Sequence, residues 1–447
     1  MVPRRKRLVV LPERWYTRTV TTGYVQTLRH FHRDVRLFLV SAALLGLAWD
    51  GVRTVLFNLF ILRLGYGPEF VGLVNGVGAL SFALSCPIFG AMVTRWGSRR
   101  PLIGGLAVLA AGFGLLPLAA TLQGDARAVL LFTSNIVCHL GLALNLVSGM
   151  PFIMAVARPR ERGHVFSLHM ALAPLAAIAG SLLGGVLPEA LASLLGLPPE
   201  SALAYGLPML LSALALLVGV LVLLQTSPTS GPSALASNSS TPATGAEVGP
   251  TPWVLLILMA VIMAFRFGGR GLVTTFSNVY LDEALSTSAA LIGALSAAAQ
   301  LVAVPSALVA PLLVARWGSA RTIFWGSLGA ALSALPLALV PAWTAAGVGL
   351  IGSASLFSMS MGPLRQISQE MVTPRWRGTM SSAYMMGAGL AFSLTSLIGG
   401  FIIVNQGYQT LFLVGIGMAT VSALLFWAYF RVPRGELARS PTAGTEV

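Results

Sequence analysis

The sequence predicts an all-α membrane protein, with twelve spanning helices in two pseudo-symmetric six-helix bundles. Composition is the first reason: 56% of the 447 residues are hydrophobic and 9% are charged, with a mean hydropathy of +0.82. A soluble domain carries roughly 25% charged residues, so this chain needs lipid as its solvent. Internal repetition is the second. Arg-Trp-Gly-Ser occurs at Arg95–Ser98 and again at Arg316–Ser319, an offset of 221 residues. Pro159-Arg160-Glu161-Arg162-Gly163 is echoed by Pro374-Arg375-Trp376-Arg377-Gly378, and Gly184-Gly185 by Gly399-Gly400, both at an offset of 215. One hydrophobic module is therefore used twice, as in many secondary transporters.

Residues 1–35 read as a cytoplasmic basic N-terminal segment without a cleavable signal, because the apolar run from Leu37 is too long for a signal core. Tyr24, Leu28, Phe31 and Val35 fall at helical spacing, with Arg29, Arg33 and Arg36 on other faces. That pattern fits either an in-plane helix at the headgroups or an unstructured basic arm. The N-terminal bundle is expected over 36–225, with spans near 36–64, 69–94, 101–122, 127–156, 165–188 and 202–225. Residues 226–252, rich in Ser, Thr, Pro, Ala and Gly with Glu247 the one charge, cannot build a core and read as a flexible linker. The C-terminal bundle is expected over 253–430, with spans near 253–281, 288–315, 322–342, 345–371, 379–404 and 410–430, before a cytoplasmic tail at 431–447. Cys86 and Cys138 fall inside apolar segments, which argues against a disulfide framework or a thiolate metal site.

Arginine placement predicts the orientation. With the N-terminus in the cytoplasm, 22 of the 28 Lys and Arg residues fall on the cytoplasmic side, and the opposite loops hold only Arg63 and Arg127. The positive-inside rule then puts both termini in the cytoplasm of a multi-pass plasma-membrane protein. Most of the +14 net charge is thus a topology signal, and no nucleic-acid partner is needed to explain it.

Gly90-Ala91-Met92-Val93-Thr94-Arg95-Trp96-Gly97-Ser98-Arg99-Arg100 resembles the signature loop between the second and third helices of the major facilitator superfamily. Gly90, Arg95, Gly97, Arg99 and Arg100 match, while Thr94 stands where that family usually has Asp. The second copy keeps Arg316, Gly318 and Arg321 but has Pro311 and Ala315 at the Gly and Asp positions. The resemblance implies an alternating-access transporter in which these loops gate the cytosolic face. Gly97 and Gly318 would permit tight turns, and the arginines could hold helix C-termini and carboxylates. The proton-driven drug exporters of the superfamily are matched less well: Gly180-Ser181-Leu182-Leu183-Gly184-Gly185 lacks the proline of their fifth-helix motif, and no arginine lies between Val129 and Ala157.

Charges inside spans cost about 2.5–3.5 kcal/mol on insertion scales and should face a cavity. Asp50 and Arg53, at i and i+3, are expected to share a face of the first span, and Arg266 and Arg270, at i and i+4, a face of the seventh. Arg365 lies in the tenth. Arg53, Asn58, Arg266, Arg270 and Arg365 are the substrate-binding candidates, because guanidinium pairs bidentately with carboxylate, phosphate or sulfate. Superfamily organophosphate exchangers are similar in placing arginines on their first and seventh helices, which singles out Arg53 and Arg270. The same arginines could instead pair with Asp50, Glu370 and carbonyls to hold helices together. Asp50 is the first proton-coupling candidate and His139 the second: an anion competing for Arg53 would free Asp50 to take a proton. Asn75, Asn135, Asn145, Asn278 and Gln300 could serve the cavity or helix association, and Phe357, Met359 and Met361 an apolar wall or packing.

The expected function is proton-coupled transport of an organic anion or anion-bearing amphiphile. Multidrug-like export of lipophilic compounds is the alternative, and a membrane enzyme, receptor or scaffold the rival class. No motif for catalysis, metal or cofactor binding stands out, so none is expected. The expected partners are a small-molecule substrate, protons or another coupling ion and membrane lipids, with the protein a monomer.

Overall fold

The computed structural model describes residues 31–158, 161–227, 253–372 and 376–431, with side chains excepted at 163, 377–379 and 381–383. The described residues are helical and contain no strand. The first six helices are α1 Arg33–Arg63, α2 Pro68–Trp96, α3 Arg99–Ala120, α4 Gly124–Val156, α5 Arg162–Leu195 and α6 Ala202–Leu224. The remainder are α7 Trp253–Glu283, α8 Ala289–Trp317, α9 Ser319–Leu339, α10 Trp343–Glu370 and α11 Arg377–Phe430. All eleven are long and apolar enough to cross a membrane.

The twelve expected spans meet eleven helices because α11 is bent. Its 54 residues break at Gly407, where φ 83° and ψ 172° leave helical space. The arms 377–406 and 408–430 would each reach across a hydrocarbon layer of about 30 Å at about 1.5 Å per residue. Gly97 (φ 76°) and Gly318 (φ 80°) turn the chain after α2 and α8, so both copies of Arg-Trp-Gly-Ser end a helix on a left-handed glycine. That backbone region favours glycine because it has no Cβ.

α1 begins three residues before its expected start. His32 caps it through Asp34 N, and Phe31 and Val35 are buried in the N-terminal core. Tyr24, Leu28 and Arg29 lie outside the described residues, as do 228–252 of the linker, 432–447 of the tail and the Pro-Arg halves of the 215-residue echo.

Small residues bring the helices together, as expected where lipid supplies no hydrophobic drive between them. A Cβ on Gly51 of α1 would lie 2.5 Å from Gly180 Cα of α5. Between the halves the same device is used twice. A Cβ on Gly72 of α2 would stand 2.5 Å from Ser396 O of α11, and one on Gly293 of α8 would stand 2.5 Å from Ser181 O of α5. Gly72 and Gly293 are related by the 221-residue offset, and Ser396 and Ser181 by the 215-residue offset. The halves thus meet through two symmetry-related backbone contacts.

Both contacts lie toward the end that carries the loops after α1, α5 and α7. Polar groups close the same end. Asn58 Nδ2 donates to Thr275 O at 2.6 Å, Asn278 Nδ2 to Thr54 O at 2.6 Å, and Ser393 Oγ to Gly76 O at 2.8 Å. Arg63 at the end of α1 forms a two-pronged pair with Asp282 of α7, 2.7 Å on each prong, and an ion pair with Glu200. The halves part toward the opposite, arginine-rich end.

Gly72→Val and Gly293→Val should each force this closed end apart. Spin labels at Gln123 and Ala284 should report a longer distance than in the parent protein. An unchanged distance in both variants would show that the glycine contacts do not limit closure.

Candidate substrate cavity

A cavity of about 1190 Å³ lies between the halves. Its wall comes from α1, α5, α7, α8, α9, α10 and the second arm of α11, and no described residue of α2, α4 or the first arm contributes. Among the described residues, Asp50 is the one carboxylate on the wall, set against three guanidiniums: Arg266, Arg270 and Arg365. Phe166, Met170, Pro174, Val304, Leu308 and Met361 supply much of the apolar remainder.

Asp50 and Arg53 do not share a face, because α1 carries a π-helical stretch at Gly46–Arg53. A π turn holds more residues than an α turn, so side chains three apart no longer stack. Thr54 Oγ1 reaching back five residues to Trp49 O follows that wider winding. Asp50 therefore points into the cavity, exposed, without a hydrogen bond or ion pair among the described residues. Arg53 turns into the N-terminal bundle and is 9% exposed. Its Nη2 donates to Asn135 Oδ1 at 2.9 Å, and its guanidinium lies 4.1 Å from the Trp49 ring centroid and 4.4 Å from that of Phe57. The expected Asp50–Arg53 pair is corrected accordingly.

Further candidates lie off this wall. His139 is buried, with Nδ1 2.8 Å from Asn135 O and its ring edge-on to Trp49. Asn58 bridges α1 to α7 through Thr275 O and accepts from Asn75 Nδ2 at 2.9 Å. Asn135 and Asn145 also bind backbone carbonyls of neighbouring helices. These amides satisfy helix contacts, which leaves Asn278 and Gln300 as the amides on the wall.

The three wall arginines differ. Arg266 is 4% exposed and fixed: it donates to Ser327 of α9 and Ser360 of α10, with Phe357 4.6 Å from its guanidinium. Arg270, one turn on, has its guanidinium 4.1 Å from the centroid of the same Phe357 ring. Among the described residues the Arg270 guanidinium has no carboxylate partner, and Arg365 is exposed at the arginine-rich end of the wall, likewise unpaired. Cation–π contacts of this kind stabilise a desolvated cation by about 2 kcal/mol without consuming its donors. Phe357 and Met361 face the cavity, whereas the Met359 methyl packs toward Gly326 of α9.

The candidate gating loops take up their turns, and among the described residues their arginines make no ion pair between the halves. Arg99 donates to Leu224 O at 2.8 Å and to Thr226 Oγ1 at 3.0 Å, holding the C-terminus of α6. Arg95, Arg100, Arg316 and Arg321 are exposed, and Gly90 sits in open space. Thr94, at the usual Asp position, bonds its own helix at Ala91 O. The Arg63–Asp282–Glu200 cluster was legible only as loop charges, because its members are far apart in sequence.

Two helical bundles enclosing a central cavity with buried charge define a polytopic solute transporter. The chain matches the Major Facilitator Superfamily over residues 38–395 and belongs to that family. Solved structures similar in fold include the nucleoside transporter NupG, at 16% identity and TM-score 0.66 over 89% of this chain and 100% of that one. A bacterial homologue of the human lysosomal transporter Spinster, in an inward-facing and occupied conformation, is similar at 15% identity and TM-score 0.67 over 89% and 96%. Among curated proteins, the multidrug resistance protein MdtH of Aeromonas hydrophila is 31% identical over 125 residues. That match spans 28% of this chain and 30% of the relative.

Ser360→Ala removes a partner from a buried cation and should cost about 1–3 kcal/mol. Ser358→Ala, on the wall but without such a bond, should stay within about 0.5 kcal/mol. Thermal unfolding in detergent measures both, and equal shifts would mean that the hydroxyl does not hold Arg266.

Proposed function

We propose that this transporter moves small organic anions by alternating access and couples that movement to protons through Asp50. One observation carries the reading: among the described residues the cavity presents three guanidiniums and one carboxylate, no guanidinium there has a protein anion, and only Arg266 is held by hydroxyls. An unpaired cation near the middle of a membrane is costly, and a substrate carboxylate, phosphate or sulfate relieves that cost. Arg270 and Arg365 bind the anion, Phe357 holds Arg270 in place, and Arg266 positions Phe357. Asp50, facing the same space without a partner, can take a proton from cavity water as the anion's charge arrives and leaves. The closed end at Arg63–Asp282 and the open arginine-rich end give one of the two states that alternating access needs.

Export of lipophilic compounds is the second reading, favoured by the partial match to MdtH and by the apolar share of the wall. It needs Asp50 but not Arg270. A thermal-shift screen against anions, sugars, amino acids and cationic drugs separates the two, since a ligand that binds only the folded state stabilises it by mass action.

Arg270→Ala should weaken binding of an anionic substrate by at least about tenfold, the loss of roughly 1.4 kcal/mol. Asp50→Asn should abolish accumulation driven by a proton gradient while sparing counterflow in proteoliposomes. Accumulation that persists in Asp50→Asn would place the proton site elsewhere, with His139 next to test. Normal anion transport by Arg270→Ala would overturn the anion reading.

The membrane orientation is proposed from the arginine bias. A cysteine at Ser237 should be labelled only from the cytoplasm, and one at Ser286 only from outside. External labelling at Ser237 in intact cells would reverse it.

A further inference from the structure

The two lateral faces between the halves are related by the internal repeat, yet only one of them is closed. On the α2/α11 face, contact continues from Gly72 past Gly76, where Ser393 Oγ donates to Gly76 O, as far as Ala83, whose Cβ would be 3.0 Å from a Cβ on Gly389. On the α5/α8 face, contact runs from Gly293 and Gly185 to Gln300, whose Nε2 donates to Ser181 Oγ at 3.0 Å. The residues there that correspond to Ala83 and Gly389 are Val304 and Pro174, and both stand on the cavity wall. Residue size accounts for the difference: Gly76 and Ser393 correspond to Ala297 and Ile178, and the Gly389–Ala83 contact to a proline and a valine. Bulkier side chains keep α5 and α8 apart where α2 and α11 still touch. Beyond that point Met170 is 49% exposed and Leu308 73% exposed, and both line the cavity.

We propose that the gap between α5 and α8 is a lateral entrance from the lipid, and that it admits a single-chain anionic amphiphile. The head binds Arg270 and Arg365, and the chain lies along Phe166, Met170, Pro174, Val304 and Leu308. The inference rests on the anion reading above and adds the apolar limb and the route. One open face accommodates one chain. Arg270 and Arg365 share one cavity wall with the residues at the gap, so head and chain are bound within the same space. A water-soluble anion would use the same arginines through the arginine-rich mouth, without the gap.

The test compares dodecyl phosphate with butyl phosphate, both radiolabelled, binding to the full chain in nanodiscs. Ala307 lies on the wall at the gap, and Cys86 is its counterpart on the closed face. Ala307→Trp should weaken or slow dodecyl phosphate by at least about tenfold and leave butyl phosphate unchanged, while Cys86→Trp changes neither. Ala303→Phe should repeat the effect if Ala307→Trp fails to fold. Arg270→Ala should weaken both probes. If the gap variants leave dodecyl phosphate unchanged, or weaken both probes alike, the lateral entrance is wrong. Should Arg270→Ala affect neither probe, the anion reading falls with it.

Discussion

Backbone-to-backbone contact between the halves, at Gly72 against Ser396 and Gly293 against Ser181, is the constraint on which the remaining geometry depends. Any side chain at those glycines would collide with a carbonyl oxygen, so the halves can meet there only because glycine is present. Two such contacts, related by the repeat, hold the bundles together at one end. At that same end Arg63 meets Asp282 and Asn58 meets Thr275. The cavity lies between the halves beyond those contacts.

Buried cations are the second organising feature, and the protein treats each differently. Arg53 is absorbed into the N-terminal bundle by Asn135, Trp49 and Phe57, and Arg266 into the C-terminal bundle by Ser327, Ser360 and Phe357. Among the described residues neither uses a carboxylate. Hydroxyl, amide and ring partners hold the cation without neutralising it, so the local field stays positive. Arg270 shares its aromatic partner with Arg266, which makes the Phe357 ring the junction between an arginine held by hydroxyls and one that faces the cavity without a carboxylate partner among the described residues. Asp50 thus shares the cavity wall with Arg266, Arg270 and Arg365, and Arg53 lies off it.

The spans, their pairing by the repeat and the turns at Gly97 and Gly318 were legible in the sequence, because hydropathy, repetition and left-handed glycines are local properties. The cavity arginines of α7 and α10 were legible for the same reason: a charge in an apolar run needs a polar surrounding wherever it falls. The face shared by Asp50 and Arg53 was misread. Residues i and i+3 fall on one face of an α-helix but not of the π stretch at Gly46–Arg53, which packs against α5 where Gly51 meets Gly180.

By itself the sequence determined the solvent, the doubled bundle and the presence of charges that lipid would reject, since each follows from the transfer energetics of short segments. Tertiary structure decided which charges reach the cavity, which end is closed and which lateral face is parted. Those outcomes depend on partners tens to hundreds of residues away: Asn135 for Arg53, Ser360 for Arg266, Asp282 for Arg63. A charge's need for a partner is written in its own segment, but the partner is chosen by how the helices pack.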